Sequence, residues 1–232
     1  VDDYDPNFTP NTTDLPGRRY AFSKQPSIGY WNLGALAGAL LPLADKDQLV
    51  ATLESFKDVY WTEYYAMMGR KLGIDQVSKI DTDLISQFEK VLSEIKPDMT
   101  IFYQLLIELP LSVEGEEQVA DHFKQALYED LTDGQKAKLY TLICNYLERL
   151  NTNKIKRSDS QEMMRNANPR FVLRNYLLHQ AIEGLEKGDN TLFAKLQEAI
   201  KEPYSSKYDE FFQPRPAWAS EKAGCSMLSC SS

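Results

Sequence analysis

The sequence predicts an all-α protein, and three observations carry that prediction. Apolar residues recur with a helical period through most of the chain. Proline falls at the breaks between periodic stretches, and no run alternates polar and apolar residues for long enough to make a strand. In 84–95 the apolar positions are Leu84, Ile85, Phe88, Val91, Leu92 and Ile95, and in 139–150 they are Leu139, Leu142, Ile143, Tyr146, Leu147 and Leu150. Steps of three, one and three place each set on one stripe of a 3.6-residue helix. Pro42, Pro97, Pro110 and Pro169 lie between such stretches, where a missing N–H costs least.

Taken in order, residues 1–30 form a first segment without helical period. Pro6, Pro10, Pro16 and Pro26 punctuate it, while Tyr4, Phe8, Tyr20 and Phe22 give it side chains with which to dock. It reads as an ordered loop or extended segment lying on something else. Residues 31–201 form the helical domain. The near-apolar run "LGALAGALLPLA", Leu33–Ala44, is shorter than the ~20 residues of a membrane span and reads as a core helix. Asp81 and Asp83, and Glu116 and Glu117, sit near expected helix starts, where carboxylates complement the helix dipole. Thr132-x-x-Gln135 and Ser158-x-x-Gln161 have capping-box spacing. Gly188-Asp189 suits a glycine after one helix and the N-cap of the next. Residues 202–232 lose the period but keep Tyr204, Tyr208, Phe211, Phe212 and Trp218, so they are expected to lie along the helical body as an extended tail.

Composition bounds the partners. The 232 residues carry 26 Lys and Arg against 34 Asp and Glu, a net charge of -8. An acidic surface repels phosphate backbones and anionic lipid, so neither nucleic acid nor a membrane is expected as a partner. Three cysteines at irregular spacing suit a reducing, intracellular compartment. Asn11-Thr12-Thr13 has the form of a glycosylation sequon, which in that setting means nothing. The chain opens on Val1 rather than Met and reads as a fragment or a processed product.

Familiar catalytic constellations are missing. Neither G-x-x-x-x-G-K-[ST] nor G-x-G-x-x-G occurs, so the common phosphate cradles are lacking. His122 and His179 have no His or Cys partner at ligand spacing and read as helix-face residues satisfied by neighbours. Cys144 belongs to an apolar stripe and is expected to be buried. Cys225 and Cys230 are spaced C-x-x-x-x-C with no further ligand nearby, a weak zinc pattern. Cys230 lies in the terminal "MLSCSS", but prenylation needs Cys fourth from the end, and that position is Ser229. A redox role through an accessible thiol and an inert tail thiol both stay open. Arg18-Arg19, after Gly17, could hold a phosphate or carboxylate, or form an ordinary solvent-facing turn.

Three separated stretches resemble one family. "DDYDPNFTPNTTDLPGRRYAFSKQPSIGYWNL" (2–33), "NPRFVLRNYLLHQAIEGLEKGD" (168–189) and "PAWASEKAGCSMLSCSS" (216–232) are similar, in order and spacing, to segments of selenoprotein O. The resemblance implies the helical C-terminal lobe of a kinase-like fold, with 1–30 as an activation-segment-like loop and 168–175 entering a helix. It implies a protein adenylyltransferase that moves AMP from ATP, with Mg, onto Ser, Thr or Tyr hydroxyls of proteins. The kinase template needs a Lys–Glu pair, a metal-holding Asn and the Asp of a D-F-G-like motif. None of these can be located in this chain, so ATP and Mg are expected of the parent and not of this chain alone. The implied partners are protein substrates and the protein's own N-terminal kinase-like lobe. The implied site residues are Cys230, at the selenocysteine position of animal members, with Cys225 as the nearer thiol, and Arg18 and Arg19 as substrate or anion contacts. Pro10 stands where some bacterial members have a Cys. The implied setting is the bacterial cytoplasm, or a mitochondrion or plastid in a eukaryote. A reading of another class is a stand-alone, non-catalytic helical interaction module that binds through its Pro-rich entry segment and aromatic tail.

Overall fold

The computed structural model describes residues 2–9, 14, 17–222 and 225. Ten α-helices with short 3-10 turns build it, and among the described residues the one β feature is an isolated antiparallel bridge between Asp3 and Asp98. The all-α expectation holds. Among the described residues the chain divides into two compact units, one of residues 2–4, 68–222 and 225, the other running from Asp5 to Met67.

In the Asp5–Met67 unit, the described residues before Gln25 include a 3-10 turn, Phe22–Lys24. Phe22 N–H donates to the Phe8 carbonyl at 2.9 Å and Ser23 N–H to the Pro6 carbonyl at 2.9 Å. Helix α1 (Gln25–Leu40) follows, with Pro26 in its first turn, where the missing N–H has no intrahelical partner to lose. Helix α2 (Lys46–Leu72) is opened by Asp45, whose carboxylate accepts from Gln48 N–H at 3.0 Å. The two run antiparallel through small residues: a Cβ on Gly34 would lie 3.8 Å from the Leu53 side chain, and one on Gly29 would lie 3.8 Å from the Phe56 ring. Here the sequence expectation is corrected. Leu33–Ala44 is helical as far as Leu40, but no residue of α1 is buried, and Leu36 and Leu43 are 53% and 83% exposed. The cause is geometric. Apolar residues surround α1 on every side, while α2 meets it at Gly29, Tyr30 and Gly34.

The other unit has a true core. Helix α3 (Asp81–Ile95) buries all six residues of its stripe and ends at Lys96, whose φ of 44° turns the chain into Pro97. Helix α4 (Met99–Ile107) starts at Asp98, whose carboxylate accepts from Ile101 N–H at 3.1 Å. Helix α5 (Glu116–Phe123) puts Phe123 in a stack on Phe102 with 4.5 Å between ring centroids. Helix α6 (Asp133–Leu150) has the full Thr132/Gln135 capping box and buries its six-residue stripe; Tyr146 meets Phe88 edge-on at 5.5 Å. Fully burying side chains of this size contributes ~1.5–3 kcal/mol each, so the stripes of α3 and α6 contribute strongly to stability.

Two local expectations are corrected further along. Ser158 and Gln161 make no capping box, because helix α7 (Arg157–Ala167) begins earlier, with the extended backbone of Lys156 as its N-cap. Ser158 instead donates to Asp159, and the Gln161 amide donates to the Ile107 carbonyl at 2.8 Å. Helix α8 (Asn175–Glu186) starts only at Asn175, after residues 171–174 that have no regular secondary structure and with Arg174 extended. Gly188, at φ 83°, turns the chain into helix α9 (Thr191–Lys201). The N-cap position there is Asn190, one residue later than expected, although Asp189 still supplies the carboxylate that receives Thr191 N–H at 2.9 Å. Beyond Pro203 the chain forms a 3-10 turn (Ser206–Phe211) and a short helix α10 (Ala217–Glu221).

Candidate functional site

Asp14 organises the turn that presents the paired arginines. Its carboxylate receives Arg19 N–H at 2.8 Å, Tyr20 N–H at 2.7 Å and the Thr9 hydroxyl at 3.0 Å. Desolvation pushes its pKa up, but those donors outweigh it and hold the carboxyl below its usual range. Arg18 takes a left-handed φ of 45° and donates to the Asn7 carbonyl at 3.1 Å. Arg19 lies over the Trp31 indole, 4.0 Å from the ring centre. Both side chains are exposed. They are therefore set apart by their own contacts, one on a backbone oxygen and one on an aromatic face, and do not form a fork aimed at one anion.

The tail folds back on α8 and α9. Arg170 and Phe171 N–H groups both donate to the Pro203 carbonyl, at 2.8 and 2.9 Å. Arg170 also pairs with Asp209, and Lys222 reaches Glu183 at 2.6 Å. Cys225 is 4% exposed and packs in a cluster with Phe171, Tyr176, Leu177, Phe211 and Ala219. Burial pushes its thiol pKa up, which disfavours the nucleophilic thiolate. Cys230 lies outside the described residues. Cys144 corrects an expectation: it is half-buried, not buried. It sits about 100° round the helix from Ile143, at the stripe's edge, and hydrogen-bonds Tyr140, which raises that phenol's pKa. Both histidines are satisfied locally, His122 on the Leu105 carbonyl at 2.8 Å and His179 on Glu183 at 3.1 Å.

A buried polar constellation was missed by sequence reasoning. Arg174, 2% exposed, donates to Asp98 at 2.5 and 3.0 Å and to Asp2 at 3.1 Å. Tyr128 donates to the same Asp98 at 2.7 Å, and its hydroxyl accepts from Arg215 N–H at 3.3 Å. The Arg215 side chain pairs with Asp3 at 3.2 Å and Asp2 at 3.6 Å. Burial works against the Arg174 charge, but the Asp98 and Asp2 carboxylates outweigh it and lock the guanidinium cationic. Burial, with Asp98 beside it, drives the Tyr128 phenol well above its ordinary value. The clasp joins residues 2, 98, 128, 174 and 215. Backbone bonds reinforce it: Tyr4 N–H to the Pro97 carbonyl at 2.9 Å and Met99 N–H to the Asp2 carbonyl at 3.1 Å. The only sequence signal was a lone arginine, Arg174, in an apolar stretch, "FVLRNYLL".

Lys71 is another desolvated cation. It lies 4.2 Å from the centre of the Tyr103 ring, and burial pulls its pKa down to about 8. Among the described residues no group of three or more His, Cys, Asp and Glu side chains could hold a metal ion. No described helix is long and apolar enough to cross a membrane.

Comparison with known proteins gives this geometry a context. The family model described as protein adenylyltransferase SelO matches residues 1–201. A protein nucleotidyltransferase YdiU of Cytophaga hutchinsonii is 55% identical over 233 residues, covering 100% of this chain and 45% of that protein. Proteins of the same name from Xanthomonas euvesicatoria pv. vesicatoria and Flavobacterium johnsoniae are 41% and 37% identical, again over 100% of this chain and 45% of theirs. The chain thus spans less than half the length of these relatives. With a match running from the clasp's Asp2 to the end of α9, the chain belongs to the SelO family.

Proposed function

We propose that this chain is the helical part of a protein adenylyltransferase that moves AMP from ATP onto Ser, Thr or Tyr hydroxyls of protein substrates. The observation that carries the reading is family membership over residues 1–201, joined to relatives named as protein nucleotidyltransferases. On this reading ATP and Mg are held by the additional length that the relatives possess. This chain supplies the substrate-side surface around Arg18 and Arg19. Cys230 is its redox element, and Cys225, buried in the tail's apolar cluster, is first an anchor and only second a thiol partner.

The reading is tested with ATP labelled at the α-phosphate. The full-length gene product should label proteins, and the 232-residue chain should neither label them nor bind Mg-ATP in calorimetry at millimolar ligand. Saturable binding by the chain alone would overturn the division of labour. In the full-length protein, Cys230→Ser should lose the redox response of transfer while keeping transfer under reducing conditions. An unchanged response would remove the tail from the mechanism.

A further inference from the structure

The clasp has two unequal halves. The Arg174 and Asp98 side chains are 2% and 1% exposed and are joined as a fork by two hydrogen bonds. Breaking a buried pair of that kind is costly. Arg215 is held less firmly. Its side chain is 21% exposed, that of its partner Asp3 is 39% exposed, and its two carboxylate contacts are longer, at 3.2 and 3.6 Å. Ion pairs open to water contribute little. Arg215 Nε is also buried with no hydrogen-bond partner among the described residues, which works against the docked position. Yet Arg215 belongs to the tail, and the tail is anchored elsewhere. Lys222 reaches Glu183, and Ala219, fully buried, sits with Phe211 and Cys225 in the apolar cluster on α8 and α9.

We propose that Arg215 is a releasable link through which seating of the tail on α8 and α9 fixes the backbone of Asp2–Tyr4. This rests on the functional reading above, in which the tail regulates transfer. With the tail seated, Asp2 is shared between Arg174 and Arg215, and Asp3 is pinned by Arg215. The tail approaches these carboxylates across Tyr128, whose hydroxyl accepts the Arg215 N–H at 3.3 Å and whose ring centre lies 4.9 Å from the guanidinium. With Arg215 withdrawn, Asp2 keeps Arg174 and Asp3 loses its cation. Asp2–Tyr4 then rests on its backbone bonds to Pro97 and Met99, which open more readily. These residues lead in sequence toward Arg18 and Arg19, the substrate-side surface of that reading.

The test compares Arg215→Ala and Ala219→Asp, singly and together, in the full-length gene product. Ala219→Asp puts a charge in the apolar cluster and so unseats the tail. Amide exchange at Tyr4 and Met99 is followed by mass spectrometry with fragmentation to single residues. The expected result is exchange faster by about fivefold at both amides in either single variant, and no faster in the double variant. A change below about twofold in either single variant overturns the link. Additive effects in the double variant also overturn it, because tail seating and Arg215 then act separately. AMP transfer is measured in parallel. Both single variants should shift its rate by the same factor, and the double variant by no more. Unchanged transfer in variants whose exchange has changed overturns the regulatory role. A full-length protein that transfers no AMP but shows the expected exchange sinks the transfer reading and leaves the link standing.

Discussion

The α3–α9 unit and the α1–α2 pair are both helical, both rich in apolar residues, and differ in where those residues point. In α3 and α6 every member of a regular stripe is buried; in α1 none is. Periodicity separates the two. A stripe gives a helix one face to bury and one to solvate, so a neighbour of the same kind completes it. An apolar residue set without a stripe demands cover on all sides, which one neighbouring helix cannot give. Total hydrophobicity says that a helix will be buried, and the angular distribution says how many partners it takes.

Four experiments on the 232-residue chain would break or sharpen this comparison. The largest effect is expected from Arg174→Ala, which leaves the buried Asp98 carboxylate without its cation and Asp2 with only the longer contact to Arg215; removing one partner of such a group costs about 3–5 kcal/mol. Urea unfolding reads it, and a loss below 1 kcal/mol would make the clasp ornamental. Leu142→Ala, at a site 1% exposed on the α6 stripe, should cost about 2–5 kcal/mol by the same measurement, from lost transfer and a cavity.

Asp81 gives a pH-dependent test. Burial raises its carboxyl pKa, but the Arg149 guanidinium and the Ser78 N–H and hydroxyl outweigh that and hold it below its usual value. A folded pKa below the unfolded one contributes stability that is present above about pH 4 and lost as pH falls through the folded value. Acid unfolding followed by circular dichroism should therefore be shallower below about pH 4 in Asp81→Asn than in the parent. The smallest effect is expected from Trp31→Ala. Although an indole is lost, its exposed position on α1 should confine the change to about 0.5 kcal/mol in urea. A cost like that of Leu142→Ala would mean that α1 is covered within this chain, erasing the contrast.

How legible this was in the sequence depended on the range of the interaction. The stripes of α3 and α6, the Thr132/Gln135 box and the Gly188 turn could be read because each is settled within a few residues. Ser158–Gln161 failed because a distant acceptor, the Ile107 carbonyl, took the glutamine amide. Cys144 failed by one step round a helix. The Arg174 clasp could not be read at all, since its members are tens of residues apart and look individually like surface charges. The exposure of α1 was hidden for another reason, because composition reports the need for cover and not who supplies it.

The clasp also imposes an order in time. The bond from Arg174 to Asp2 closes a separation of 172 residues, whereas the contacts of α8 with α9 are local. Local contacts form first, because closing a long loop costs entropy before any bond repays it. At ~5–20 residues per second on a ribosome, Asp2 waits roughly 10 to 30 s before Arg174 has even been synthesised. During that interval Asp2 lacks the Arg174 guanidinium, so this end of the clasp is fastened only after α8 has been reached.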